Sequence, residues 1–334
     1  MTIPNKNDQF PRRSTSHVLR DLLRLSRFDR YNPLFATFAG VWSTLLAGAE
    51  KLADDRTSTS YVFISRQTFL CFLASYIFCG AGMVWNDWID RDIDANVART
   101  KDRPLAAGRL KTGEAMLWMM VQVAVSWGIL QIMLSGKDVW SVLLPAAVAS
   151  ILYPYGKRPL AQRFHLYPQY ILGFTIAWPA IAGCAAIHNQ KLSFGEIAHH
   201  CLPLCTMIFF WTLYLNTAYS YQDVVDDRKM GVNSFYNLAG KHIHLFLVML
   251  ATTVLVCIPL FLRTLGSLWL WVTWMGVWTV YLMRQLLRFD GSQPTSGGTL
   301  HKENFLLGVW TVAICMVEVF LRAGNAPMHI SVFA

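Results

Sequence analysis

Nine apolar stretches recur along this chain, at roughly 33–49, 62–85, 114–134, 138–155, 168–187, 200–220, 242–262, 267–287 and 304–323. Each approaches the roughly 20 residues an α-helix needs to cross a bilayer. A chain with this pattern has few ways to fold. Lipid offers no partner to a backbone amide or carbonyl, so the spans must be helices that satisfy those groups internally. Composition agrees: 54% of the 334 residues are hydrophobic and 15% are charged, against about 25% charged in soluble domains. Mean hydropathy is +0.35. The expectation is an all-α polytopic membrane protein with nine transmembrane helices. Residues 1–32 form a basic N-terminal segment, 33–323 the membrane domain and 324–334 a tail. Pro145, Pro179, Pro203 and Pro259 fall inside or near span ends, where kinks are tolerated. The four Trp of the 267–287 span, Trp269, Trp271, Trp274 and Trp278, read as packing residues.

The net charge of +9 belongs to the membrane rather than to nucleic acid, because its distribution is one-sided. Of the 29 Lys and Arg, 22 lie in the N-terminal segment or in the loops after spans two, four, six and eight. Basic residues concentrate on the cytoplasmic side, which places the N-terminus there and the C-terminus opposite. Residues 17–30 read as a basic amphipathic helix lying in the interface, with Leu19, Leu22 and Leu23 on one face. Residues 1–16 show no apolar h-region, and Asp8 argues against a mitochondrial presequence, so the expected location is the endoplasmic reticulum or another endomembrane. The seven Cys lie in or beside apolar spans with no CxxC pair and read as small hydrophobes. His199-His200 and His242-x-His244 read as packing or interfacial residues. Nothing calls for an obligate protein partner.

Chemistry concentrates at the ends of spans. After span two come Asn86, Asp87, Asp90, Asp92 and Asp94 within nine residues. On a continuing helix the 3.6-residue period puts Asn86, Asp90 and Asp94 on one face, with Asp87 close by and Asp92 pointing away. Such oxygen donors suit a hard cation such as Mg²⁺. Arg99, Lys101, Arg103 and Arg109 follow at once. Carboxylates for a metal beside cations for an anion are what a diphosphate site needs. After span six, on the same expected side, Asp223 and Asp227 share a face, followed by Arg228, Lys229 and Gly231. At the end of span four, also on that side, stand Tyr153 and Lys157.

Together these motifs resemble the UbiA family of intramembrane prenyltransferases. Asn86-Asp87-x-x-Asp90-x-x-x-Asp94 with the following RTKDRPL is similar to the family's NDxxDxxxD signature and its continuation; Asp223-x-x-x-Asp227 resembles its DxxxD motif and Tyr153-x-x-x-Lys157 its YxxxK motif. The resemblance implies nine helices around a central cavity under a cytoplasmic cap, and transfer of a prenyl chain from an isoprenoid diphosphate to an acceptor, usually aromatic. It implies that Asn86, Asp90 and Asp94 hold one Mg²⁺ and Asp223 and Asp227 a second. Lys157, with Lys101 or Arg103, would bind the diphosphate, and Tyr153 would line the reaction site. Arg27 resembles the family's basic residue before its first span.

Members that prenylate 4-hydroxybenzoate typically carry an Asp where this chain has Asn216 and a Lys where it has Asn233. The two neutral residues favour a fungal-type enzyme that farnesylates an aromatic polyketide in meroterpenoid biosynthesis. The alternatives are 4-hydroxybenzoate polyprenyl transfer in ubiquinone biosynthesis and, from another class, a membrane cation transporter. A transporter would hold carboxylates near the bilayer centre, whereas the Asp clusters sit at span ends and Glu318 is the main acid within a span. The charge distribution yields a direct test. A C-terminal reporter tag should be glycosylated in the lumen and protected from protease added outside sealed microsomes; a tag cleaved from the cytosolic side would refute the nine-span arrangement.

Overall fold

The computed structural model describes residues 14–54, 59–97, 100–188, 191–229 and 231–324, with the side chains of Asp226 and Pro294 excepted. Expectations for residues 1–13, Arg56, Arg99 and the 325–334 tail fall outside the described residues. The elements in chain order are α1 Thr15–Leu25, α2 Asn32–Asp54, α3 Tyr61–Asp94, α4 Thr112–Met133, α5 Val139–Gly156, α6 Pro159–Arg163, α7 Pro168–Ala177, α8 Pro179–His188, α9 Phe194–Ser220, α10 Val224–Lys229, α11 Phe235–Ala239, α12 Ile243–Leu265, α13 Leu268–Leu270, α14 Val277–Arg288 and α15 Leu300–Ala323. No strand occurs among the described residues.

Every expected span is helical, and seven helices are both long and apolar enough to cross a membrane among the described residues. The protein is therefore an all-helical, integral membrane protein. The two expected spans outside that set have physical reasons for falling short. In α2 every residue from Phe35 to Ala49 is buried, so it is wrapped by protein and built from small and hydroxyl-bearing residues as well as apolar ones. The 267–287 span is broken into α13, a π-helical segment Trp271–Gly276 and α14. Pro179 starts α8 directly after α7, dividing the 168–187 span. Side-chain caps mark other starts: the Ser60 hydroxyl accepts from the Phe63 amide, and Ser193 and Glu196 form a reciprocal capping box.

Helices meet α2 through small residues. A Cβ at Gly183 of α8 would fall 2.3 Å from the Gly40 carbonyl oxygen and 2.7 Å from Thr44 Oγ1. Such close backbone approach is how membrane helices gain packing where lipid gives no hydrophobic drive. On its other side α2 joins an aromatic stack. Trp42 lies against Trp211, Trp274 and Trp278 with centroids 5.4, 5.5 and 5.8 Å away. Of the indole N–H groups, Trp42 donates to the Gly308 carbonyl, Trp211 to Asn304 Oδ1 and Trp278 to Thr311 Oγ1. The packing role expected for the Trp residues holds for Trp274 and Trp278, both fully buried. Outward faces present Leu117, Met120, Trp140, Leu144 and Phe320, all exposed, as helices bathed in lipid require.

The remaining polar features of the spans are structural. All seven cysteines are free. His200 pairs with Glu50 at 2.9 Å, and among the described residues no three His, Cys, Asp or Glu converge to hold a metal unaided. Glu318 is buried and bonded to Arg322 at 2.6 Å and to Ser267 at 2.7 Å, while Arg322 also donates to the carbonyls of Ala49 and Leu265. That pair staples helix ends together. The close crossing at Gly183 predicts that Gly183→Ala overpacks and destabilises by about 1–3 kcal/mol. Gly128→Ala, whose Cβ would meet nothing within 4 Å, serves as control. Melting in detergent should fall for the first and hold for the second.

Candidate functional site

The last turns of α3, the end of α5, the junction of α9 and α10 and the start of α15 line one cavity of about 440 Å³. Asn86, Asp90, Asp94, Tyr153, Lys157, Asp223, Asp227, Arg27 and Arg103 all line it. The two acidic motifs, far apart in sequence, are thus brought to a single space. Asp92 points off this face, its side chain 90% exposed. Lys101 is the one named residue that the structure does not bring there: it lies exposed on the loop, while Arg103 two residues on turns inward. Thr100 anchors that loop, its hydroxyl donating to the Asp94 carbonyl at 3.0 Å.

Asn86, Asp87, Asp90 and Asp94 are buried, and a buried carboxylate is costly unless a cation and hydrogen bonds meet it. Each has them. Lys157 Nζ donates to Asn86 Oδ1 at 2.7 Å and to Asp90 Oδ2 at 2.8 Å. Arg158 donates to Asp90 Oδ1 at 2.6 Å. Arg103 bridges Asp94 at 2.7 Å and Asp87 at 3.1 Å. Arg27 completes the set, donating to Asp87 Oδ1 at 2.7 Å. Burial works against the Lys157 charge, but Tyr153 and Asp90 beside it outweigh burial and hold the ammonium above its ordinary pKa. The ammonium also sits 4.8 Å from the Tyr153 ring centroid, within cation–π range. On the opposite wall Asp227 accepts a hydrogen bond from the Tyr236 hydroxyl.

Arg27 reaches the site by a local break. The interfacial helix expected over 17–30 ends at Leu25, and Arg27 adopts φ 56°, a left-handed conformation that non-glycine residues rarely hold. That break turns its side chain away from the polar face of α1 and into the cavity. Leu19 and Leu23 of α1 stay exposed, as an apolar face open to lipid would. Two residues do more than their place in the sequence implies. Asp87 is the anion that orients two arginines, and its signal was its place inside the first motif. Arg158 was counted only as a basic loop residue, although it follows Lys157 directly.

The two neutral substitutions differ in what they do. Both Asn216 and Asn233 line the cavity. Asn233 is fully buried, and its amide donates to the carbonyls of Gly156 and Leu166 while its backbone N–H donates to the Lys157 carbonyl. It ties the loop after the second motif to the loop that carries Lys157.

The donor set fits Mg²⁺ of a particular kind. All the ligand-type atoms are hard oxygens, yet no three carboxylates among the described residues converge on one point. Mg²⁺ commonly binds through one or two carboxylates, its own waters and substrate phosphates, so the arrangement suits a metal that arrives with a diphosphate.

Comparison with known proteins points the same way. The UbiA prenyltransferase family model matches residues 34–316. The polyprenyl transferase dpchC of Colletotrichum higginsianum is 65% identical, over 91% of this chain and 96% of its own. The polyprenyl transferase dpmpC of Macrophomina phaseolina is 56% identical, over 92% and 98%. Among solved structures, a UbiA homolog from Archaeoglobus fulgidus bound to DMAPP and Mg²⁺ superposes with a TM-score of 0.63 at 15% identity, over 90% of this chain and 99% of that one. A digeranylgeranylglyceryl phosphate synthase gives 0.63 at 16% identity, over 90% and 98%.

The arrangement of Asp87 yields a prediction. Asp87→Ala leaves buried Arg27 without its anion, a loss of about 3–5 kcal/mol for a broken buried pair. The melting temperature in detergent should drop clearly, whereas Asp92→Ala should leave it unchanged.

Proposed function

The chain belongs to the UbiA prenyltransferase family, and from that premise we propose that it transfers a prenyl chain of medium length from an isoprenoid diphosphate to an electron-rich, hydroxylated aromatic ring. The observation that carries this reading is the single cavity in which cations and carboxylates gather at one end of an aromatic-walled, apolar pocket. Farnesyl is the donor that the sequence resemblance implies, and the acceptor is a polyketide-derived ring of meroterpenoid biosynthesis on the endoplasmic reticulum. The fungal relatives named as polyprenyl transferases support prenyl transfer. A cavity of about 440 Å³ falls in the range of small-ligand pockets, which supports a medium chain over very long polyprenyl donors. Asn216 leaves the acceptor side without the carboxylate typical of 4-hydroxybenzoate enzymes.

The chemistry follows from what the residues can do. The diphosphate draws Arg27, Arg103, Lys157 and Arg158 onto its oxygens, releasing the carboxylates they now neutralise. Asn86, Asp90 and Asp94 on one wall and Asp223 and Asp227 on the other are then the groups that would hold Mg²⁺. When bound, the metal neutralises charge on the departing diphosphate. The four cations do the same as the allylic C–O bond breaks with its electron pair going to oxygen. The allylic cation is left against the faces of Tyr153, Trp178 and Trp211, which line the cavity and can stabilise positive charge. The packed helices keep out water that would quench it. The acceptor ring supplies the electrons for the new C–C bond and loses a proton.

The test is turnover in microsomes or detergent, with prenyl diphosphates from about 10 to 40 carbons and hydroxylated aromatic acids, read by mass spectrometry. Asp90→Ala and Asp223→Ala should each lower turnover by orders of magnitude, and the double variant should be scarcely worse than either, as groups acting as one unit behave. Chelation should abolish turnover and Mg²⁺ restore it. Near-normal turnover by Asp223→Ala with Mg²⁺ present would sink the two-wall mechanism.

A further inference from the structure

The mechanism leaves one group in the cavity without a task. His301, in the first turn of α15, lines the same cavity as the acidic motifs and is half-buried. Its ring lies between two aromatic rings, with centroids 4.7 Å from Phe35 of α2 and 4.7 Å from Tyr219 of α9. No hydrogen bond to either ring nitrogen is found among the described residues. Tyr219 lies at the end of α9, which stops at Ser220, and a 3₁₀ turn over Tyr221–Asp223 follows directly, so Tyr219 immediately precedes the stretch that carries the second acidic motif. Through Tyr219, His301 borders the part of the cavity that Asp223 and Asp227 also line. Asn216, one turn further along α9, also lines the cavity.

This corner differs from the rest of the site. The α3 wall is saturated with ion pairs, and its carboxylates are spoken for by cations before substrate binds and by metal afterwards. The His301 corner has flat aromatic surface, a neutral amide and an imidazole, with no carboxylate bonded to it. It suits a planar ring lying against Phe35 and Tyr219, with a hydroxyl on the Asn216 amide and its edge toward the place where the allylic cation forms. Among the described residues that line the cavity, His301 is the one imidazole.

The geometry points to His301 as the catalytic base that takes the ring proton from the aromatic acceptor, with Phe35, Tyr219 and Asn216 forming the acceptor subsite. The inference rests on the aromatic-acceptor reading above. The step balances as follows. The allylic C–O bond breaks and its pair leaves with diphosphate. A pair from the ring forms the C–C bond to the allylic carbon. The proton on that ring carbon passes to an imidazole nitrogen, and the C–H pair restores aromaticity. His301 is only partly buried, so the proton then leaves to solvent.

His301→Gln and His301→Ala separate this role from a structural one. Two rates are measured. One is the C–C bond-forming turnover of farnesyl diphosphate with the acceptor that the wild type uses best in the panel above. The other is the release of farnesol from farnesyl diphosphate without acceptor, which needs ionisation alone. Loss of a general base should lower coupled turnover by about 10²–10⁴-fold. Farnesol release should stay close to the wild-type rate, which also shows that the variant is folded. With acceptor deuterated at the reacting carbon, His301→Gln should develop a primary isotope effect on kcat that the wild type lacks. Unchanged coupled turnover without an isotope effect would overturn the assignment and leave the departing diphosphate as the base. Equal loss of both rates would overturn it as well, marking His301 as a support of the fold. If the wild type itself makes no ring product with any acceptor, the aromatic reading fails first, and that result is distinct from either.

Discussion

Neutralisation of buried carboxylates at one end of an apolar bundle is the constraint on which the rest of this molecule depends. Asp87, Asp90 and Asp94 are buried at the end of a helix that has just left a membrane. Such groups cannot be left alone in a low-dielectric setting. Their partners come from three separate places: Arg27 before α2, Arg103 in the loop after α3, and Lys157 and Arg158 at the end of α5. Meeting that electrostatic demand folds the cap. Ion pairs position these loops together with a small apolar cluster, in which Leu105 and Leu110 pack with Leu25, Val84 and Ala115. The same arrangement makes the cap responsive, because cations held by carboxylates can be recruited by a stronger anion.

The opposite end of the bundle shows the contrast. There Glu318 and Arg322 also form a buried pair, but their other bonds go to Ser267 and to the carbonyls of Ala49 and Leu265. Those partners are fixed parts of the fold, and neither Glu318 nor Arg322 lines the cavity of the acidic motifs. One buried pair thus closes the structure, while the other set borders a space of ligand size. This difference, rather than the mere presence of charge, separates a structural acid from a functional one, and it weighs against a cation pathway through the spans.

Much of this was legible in sequence, for reasons that can be named. Helical spans follow from hydropathy because lipid leaves a backbone no alternative, and all nine expected spans are helical. The i, i+4 rule placed Asn86, Asp90 and Asp94 together and sent Asp92 outward, because a helix that long has one periodicity. Failures occurred where periodicity stops. The helix expected over 17–30 ends at Leu25, and Arg27 reaches the cavity only through a left-handed turn that composition does not announce. Lys101 and Arg103 could not be told apart, since loop direction depends on Thr100 bonding to the Asp94 carbonyl. Asn233 lines the cavity and is also a tie between two loops, which its place after the second motif does not announce. The π-helical segment at Trp271–Gly276 left no trace in hydropathy. These features arise from tertiary contacts, which no local window contains.

One feature has a reach beyond the cap. Helix α3 runs unbroken for 34 residues, which at 1.5 Å per residue is about 51 Å, whereas the hydrocarbon of a bilayer is about 30 Å thick. Even tilted, such a helix carries its final turns out to the depth of lipid headgroups, while its middle borders the apolar part of the cavity. A prenyl diphosphate is itself shaped like a lipid, with a charged head and a greasy tail. On the function proposed above, such a molecule would meet along α3 the same vertical gradient that the membrane offers, its head staying at headgroup level and its tail out of water.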